Sequence, residues 1–318
     1  RSSFEEQIKK FTEFSGALPC EYATIRSSED VVGNYIFNSR NVRHSFYIFE
    51  SENVGDCFRL IWNSKDNYRV AYGGTVEGSY MSIAMPYTTG SVGCFLCEHC
   101  SFLSYCMFCQ NSDMLFGCVG LRKKKFCILN TQYSEDEYRS ITTRIIDNMK
   151  RQGEWGEFLS PSHAQHAYND TLAFEYFPLS KEDVLARGWI WEATQSGSRG
   201  KGTMESDAIP DSIDMVDGSI TKEILACATC GLNYKILKKE LERLKSFHLP
   251  IPFECPDCRF ARRFTRSIIP KLYSRQCMCG EQHRSHAGRA CTTAFETTYR
   301  PDGRDVVYCN PCYQEALN

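Results

Sequence analysis

"CFLCEHCSFLSYCMFC", residues 94–109, places cysteines at 94, 97, 100, 106 and 109 with aromatic residues between them. Two chemistries compete for this stretch. CxxCxxC opens the ligand run of an iron–sulfur cluster. Cysteine is also a small apolar residue able to stack inside a narrow coil. The further cysteine followed by proline that would complete the ligand run is missing. The neighbouring sequence favours the coil.

From Ser39 to Asn130 the helical period disappears and short apolar clusters recur: "SFYIF" at 45, "CFRLIW" at 57, "YRVAY" at 68, "YMSIAM" at 80, "LFGCVGL" at 115 and "FCILN" at 126. Polar turn groups such as "SRN", "NSKD" and "QNSD" separate most of them. Clusters about 9 to 14 residues apart suit a sandwich or a stacked solenoid. Recurring Ser-x-Asn/Asp turns, with cysteines and aromatics at the cluster centres, select a parallel β-solenoid with about two strands per rung. Cys118 and Cys127 continue the interior series.

Outward from the repeats, Ser134 and Glu137 form a capping box, and Tyr138, Ile141, Ile145 and Met149 form the stripe of a helix that Gly153 ends. Such a helix would cover the exposed strand edges of the last rung. Phe4, Ile8 and Phe11 mark an earlier helix with a stop at Gly16. "SKEDVLARG" reads as another capped helix, and "TQSGSRGKGT", 194–203, as a Gly/Ser linker. It lacks the GxxxxGK[ST] spacing of a phosphate loop. The division expected is an N-terminal helix and lead-in (1–38), a solenoid with its capping helix (39–152), an aromatic connector and linker (153–203), and a two-zinc ribbon and treble-clef domain (204–318). The fold class is therefore mixed, mainly β.

Two CxxC pairs, Cys227/Cys230 and Cys255/Cys258, lie 24 residues apart. Each pair presents two thiolates from one knuckle, and four thiolates close a tetrahedron around zinc. Between them "YKILKKELERLKSF" reads as a helix with Ile236, Leu237, Leu241 and Leu244 inward. A second site follows in the order knuckle, hairpin at Pro301-Asp302-Gly303, then a CxxC opening a helix. Cys309 and Cys312 are its C-terminal ligands. The N-terminal candidates are Cys277, Cys279, Cys291, His283 and His286; the expected pair is Cys277 and Cys291, with Cys279 as substitute. Two zinc ions are thus expected, both structural, because four cysteines leave no open position for a reacting water. No clustered carboxylates or basic triad between 39 and 130 suggest catalysis.

"FGCVGLRKKKFCILNTQYSEDEY", "YNDTLAFEYFPLSKEDVLARGW", "CATCGLNYKILKKELERLKSFHLPIPFECPDCRFARR" and "FETTYRPDGRDVVYCNPCY" resemble a family of cysteine-rich zinc-ribbon proteins of ultrasmall candidate-phyla (Patescibacteria-type) bacteria. The resemblance covers nearly the whole chain. It implies zinc ribbons flanking a Cys/Asn/Ser-rich solenoid, an upstream ribbon ahead of the region similar to "RSSFEEQIKKF", and no particular activity. It also aligns Cys277 and Cys291 with a CxxC pair, around an insertion. Val54 and Asn67 stand where the family's repeats lead one to expect cysteine, which argues against a metal role for the repeats.

The 318 residues begin at Arg1, as expected of a processed chain, and no apolar run of about 18 residues predicts a membrane span. Eighteen cysteines, mostly in CxxC or CxC pairs, suit metal ligation in a reducing compartment, and the location expected is cytoplasmic. From Ser219 onward 16 Lys+Arg face 10 Asp+Glu, but zinc-bound thiolates would cancel much of that surplus. The local basic feature follows Cys258. Arg259, Arg262, Arg263 and Arg266 have the spacing of one helical face, Lys271 and Arg275 follow, and no acidic residue interrupts 259–275. Such a face can track the phosphates of RNA or DNA. The competing reading has the arginines neutralise thiolates and brace the fold. A protein partner on the solenoid surface is the alternative.

Overall fold

Successive coils from Ile25 to Ile128 pair in parallel, each residue lying beside one 11 to 13 positions later, as in Ile25↔Ile36, Phe46↔Phe58, Ser51↔Ser64 and Asp113↔Lys125. This computed structural model describes residues 2–193, 197–265, 267–280, 286 and 289–317. The solenoid expected from the sequence is present, but its side is shorter than expected. From Asn38 to Lys123 every third residue is left-handed, with φ between +46° and +71°, and one extra left-handed residue interrupts the count at Trp62-Asn63. A twelve-residue coil therefore has four sides of three residues, where the sequence suggested two strands per rung.

The triplet has a simple logic. Its first residue bridges neighbouring coils, its second is left-handed, and its third turns inward. The first donates its N–H to the coil after it (Phe95 to Cys106 O, 2.9 Å; Glu98 to Cys109 O, 3.0 Å). The second donates to the coil before it (Leu96 to Ile83 O, 2.9 Å; Phe108 to Phe95 O, 3.1 Å). A left-handed non-glycine residue costs about 1–2 kcal/mol, and such a conformation persists where the surroundings over-determine it. Here two ladders do so at each side. Sterics still select the residues: among the positive-φ residues from Ser27 to Asn130, Thr75 is the sole β-branched one.

Inward residues form columns up the coil. Ile36, Ile48 and Leu60 fill one, Val42 and Val54 another, all essentially without solvent contact. Two columns carry small polar residues because an amide also turns inward there. In one of them the Ser45 hydroxyl accepts from Cys57 N (3.0 Å), Ser82 from Cys94 N (3.2 Å), Cys94 Sγ from Cys106 N (3.4 Å) and Cys106 Sγ from Cys118 N (3.4 Å). Each of these side chains also donates to the carbonyl two residues earlier, as Cys106 does to Ser104 O at 3.4 Å. Serine and cysteine are the small side chains that can do both. Outside the coil, like residues stack at the coil repeat: Phe37 on Phe49 with centroids 5.1 Å apart, and Tyr87 on His99 at 4.7 Å.

The helices are α1 (Ser2–Ala17), α2 (Glu135–Gln152), α3 (Leu172–Tyr176), α4 (Lys181–Ala186), α5 (Lys238–Ser246), α6 (Pro256–Phe264) and α7 (Asn310–Ala316). The last coil is finished by two devices. Thr131–Gln132 turns back antiparallel onto Ile128 and Cys127, and α2 buries Tyr138 against Phe116 and Ile128. The Ser134–Glu137 capping box and left-handed Gly153 bound α2 as the sequence predicts.

The chain divides into two compact units: residues 11–163 with 269–318, and 1–10 with 164–268. In the second unit, Leu225–Ala226 and Asn233–Tyr234 form a small antiparallel ribbon over a core of Ile209, Ile213, Ile220, Ile236 and Leu241. The helix expected from Tyr234 begins only at Lys238, and Leu237 stands 69% exposed at its N-cap. The Gly/Ser segment is not a free tether where it is described: Arg199 bridges Leu232, and Met204 bridges Leu225. Residues 194–196 lie outside the described residues.

Candidate metal centres and partner surfaces

Cys227, Cys230, Cys255 and Cys258 bring four Sγ atoms within 4.8 Å of one another. The knuckle closes with Gly231 N donating to Cys227 O (3.0 Å) and Gly231 left-handed at φ 70°. Cys255 is the N-cap of α6, with Pro256 opening the helix, so Cys258 is carried back toward the knuckle in the first turn. Four sulfurs about 2.3 Å from a tetrahedral ion stand about 3.8 Å apart. The Cys230–Cys255 separation is 3.7 Å. Amides already serve the sulfurs, since Cys255 N donates to Cys227 Sγ at 3.2 Å. Burial raises the Cys227 thiol, but the amides of Cys255, Cys230 and Thr229 outweigh it and bring the thiol down to about 6.

The second group, Cys277, Cys291, Cys309 and Cys312, also lies within 4.8 Å and is wholly buried. Cys291 and Cys309 are 3.9 Å apart, and Cys309 N donates to Cys277 Sγ at 3.2 Å. The Thr293 hydroxyl, 3.3 Å away, leads the causes that bring the Cys291 thiol down to about 6. Each cluster could hold one tetrahedral metal ion. The scaffold around this second site differs from the expected hairpin. The strand before the Pro301 turn, Ala294–Thr297, pairs antiparallel with Tyr273–Gln276. The strand after it, Val306–Tyr308, instead pairs in parallel with Pro19–Glu21. That pairing puts the site in one unit with the solenoid's first coils, where Asn34 Nδ2 donates to Thr298 Oγ1 at 2.8 Å. A partner nearly 290 residues away has no local signal. Cys279 is not in the four-thiol group; it lies with His286 and Cys312 in a third group. His283 lies outside the described residues.

The solenoid cysteines hold backbone groups, and among the described residues no three of them meet the mutual distances of these clusters. Burial pushes the Cys57 thiol up to about 12, as suits a neutral interior group.

Several of the positive residues after Cys258 are engaged within the fold. Helix α6 ends at Phe264. Arg259 pairs with Glu240 at 3.0 Å and Arg262 with Glu254 at 3.2 Å. Arg263 is exposed and makes no ion pair among the described residues, and Arg266 lies outside them. Lys271 sits over the Tyr273 ring at 5.3 Å. Arg275 donates to Arg300 O and Asp305 O, bracing the loop before Val306. The carboxylates that answer the first two arginines, Glu240 and Glu254, fall outside the acid-free stretch that suggested a face.

A surface with less sequence signal is the aromatic side of the solenoid. Tyr47, Arg59, Trp62, Tyr72, Tyr87 and Leu96 line a groove of about 630 Å³ whose floor includes Gly73 and Gly74. The Arg59 guanidinium lies 5.4–5.6 Å from the rings of Tyr47, Phe58 and Tyr72. Trp62 is 57% and Tyr87 49% exposed.

Neither a protein-family model nor a curated protein sequence matches the chain. Among the described residues no helix is long and apolar enough to cross a membrane.

Proposed function

We propose that this is a non-catalytic zinc-binding interaction protein. Two zinc ions, one held by Cys227, Cys230, Cys255 and Cys258 and one by Cys277, Cys291, Cys309 and Cys312, each organise the fold around them, and the solenoid meets a partner. The observation that carries the reading is sulfur–sulfur spacing of 3.7 and 3.9 Å in clusters already furnished with amide donors. All-thiolate tetrahedral sets select zinc or iron, and closed sets without an open position are structural. None of the eighteen cysteines is paired in a disulfide, which suits a reducing compartment such as the cytoplasm. Elemental analysis of the purified full chain tests this reading: fewer than two zinc equivalents, or iron in their place, would overturn it.

For the partner, the aromatic groove favours the protein scaffold over nucleic acid. Exposed Trp and Tyr beside a single arginine are the composition of interface anchors, whereas Arg259, Arg262 and Arg275 are engaged within the fold. Nucleic-acid contact rests on Arg263, Arg266 and Lys271. Titrating single-stranded RNA at about 50 mM salt and above separates the two. An electrostatic grip gives a log–log slope near −0.7 per phosphate, reduced in Arg263→Ala. Absence of binding leaves the groove as the partner surface, and Trp62→Ala with Tyr87→Ala should then release a partner retained after nuclease treatment.

A further inference from the structure

Beside the second four-cysteine cluster lies a further thiol that the cluster does not use. Cys279 is 1% exposed, and its Sγ is within 4.8 Å of both Cys312 Sγ and a ring nitrogen of His286. Both ring nitrogens of His286 are turned away from solvent. The backbone holds this corner together: Cys291 N donates to Cys279 O at 3.1 Å, and Arg289 N to His286 O at 3.1 Å. Cys312, in the first turn of α7 and wholly buried, belongs to both groups.

We propose that Cys279, His286 and Cys312 hold a third divalent ion of the zinc class, with Cys312 Sγ as a thiolate bridge to the ion of the four-cysteine site. This rests on that site being a metal centre, as proposed above. A thiolate sulfur has lone pairs for two metals. The charges favour the arrangement: one zinc with four thiolates carries about −2, whereas two zincs with five thiolates and a neutral imidazole carry about −1. Burying the smaller charge is cheaper. Packing alone would be met by an apolar residue at 279; a thiol and an imidazole converging on a ligand sulfur are donors of the same borderline-soft type. Three protein ligands leave the fourth position of this ion open, so it exchanges more readily than its neighbour.

Zinc-saturated full chain, examined by native mass spectrometry, should carry three equivalents. A chelator should remove one ahead of the other two. Cys279→Ala and His286→Ala should each carry two, with the fold kept, because neither residue belongs to a four-cysteine set. After loading with ¹¹³Cd, the bridge should show as two resonances split by mutual coupling, lost in His286→Ala. Saturation of the wild type at two equivalents overturns the proposal and leaves both four-cysteine sites standing. So does a third equivalent that survives both substitutions. Fewer than two equivalents would instead sink the metal reading of the four-cysteine clusters, and this proposal with it.

Discussion

Replacing Cys106 with alanine should cost more than replacing Cys109, although both thiols are fully buried in one interior and sit one column apart. Cys106 Sγ accepts the Cys118 amide at 3.4 Å and donates to Ser104 O at 3.4 Å. Cys109 donates to Met107 O and Cys118 O, and the Leu121 and Gly120 amides face its sulfur more loosely than the Cys118 amide faces Cys106. Truncating either side chain removes one buried heavy atom, worth about 1 kcal/mol. Truncating Cys106 also strands the Cys118 amide where no water reaches, since Cys118 is 0% exposed. An orphaned buried donor costs about 1–3 kcal/mol, and sulfur's weakness as an acceptor sets the lower part of that range. The expected losses are about 2–3 kcal/mol for Cys106→Ala and about 1 kcal/mol for Cys109→Ala. Cys106→Ser should recover part of the difference, because Ser45 and Ser82 do the same work in the same column. Urea unfolding at constant m reads the stability. Hydrogen exchange of the peptide containing Cys118 reads the amide itself, which should exchange faster in Cys106→Ala and not in Cys109→Ala. Equal losses, or a serine no better than alanine, would refute the ladder and reduce the column to packing.

Three further outcomes follow from the same geometry. Gly93→Ala should lower the melting temperature more than Gly120→Ala: both are left-handed, but a Cβ at 93 meets the Tyr105 ring at 2.8 Å while one at 120 meets nothing within 4 Å. Cys255→Ser should remove one zinc equivalent and unfold the ribbon around Leu225 and Ile236, read by elemental analysis with limited proteolysis, because the binding energy of a structural zinc is largely folding energy. Tyr138→Ala should cost about 3 kcal/mol and promote association visible by light scattering, since it loosens α2 from Phe116 and Phe126 beside the last coil's edge.

The solenoid was legible in the sequence because its interior is chemically consistent; the triplet was not, because its turns are made by residues that do not look like turns. Tyr47, Arg59, Tyr72, Leu96 and Phe108 are all left-handed, and none is a residue ordinarily read as punctuation. The cue lay in an exclusion. The valines and isoleucines between Ile25 and Ile128 avoid every left-handed position, and the cysteine spacing of three in "CFLCEHC" is the inward step of the coil. That step also explains why the stretch mimics a metal ligand run: a period of three and a CxxC spacing are the same interval. What separates the two is the donor each sulfur meets. Cys94 and Cys106 meet one amide of the next coil, whereas Cys227 meets the Cys255 amide of the facing knuckle, Cys255 meets the Cys258 amide of its own, and both belong to a set of four sulfurs mutually within 4.8 Å. Cys227/Cys230, Cys255/Cys258 and Cys309/Cys312 could be chosen from spacing because each CxxC is local, whereas Cys277 and Cys291 are not a CxxC and competed with Cys279, His283 and His286. The pairing of Val306–Tyr308 with Pro19–Glu21 and the Arg259–Glu240 contact could not, since neither is encoded in a neighbouring residue. An acid-free window along the chain says nothing about carboxylates brought in from elsewhere, and Glu240 and Glu254 arrive at Arg259 and Arg262 through the same fold that positions Cys255 and Cys258. Closing the four-cysteine site therefore also brings Glu240 to Arg259 and Glu254 to Arg262, so two of the cations beside the cluster are answered by the fold that builds it.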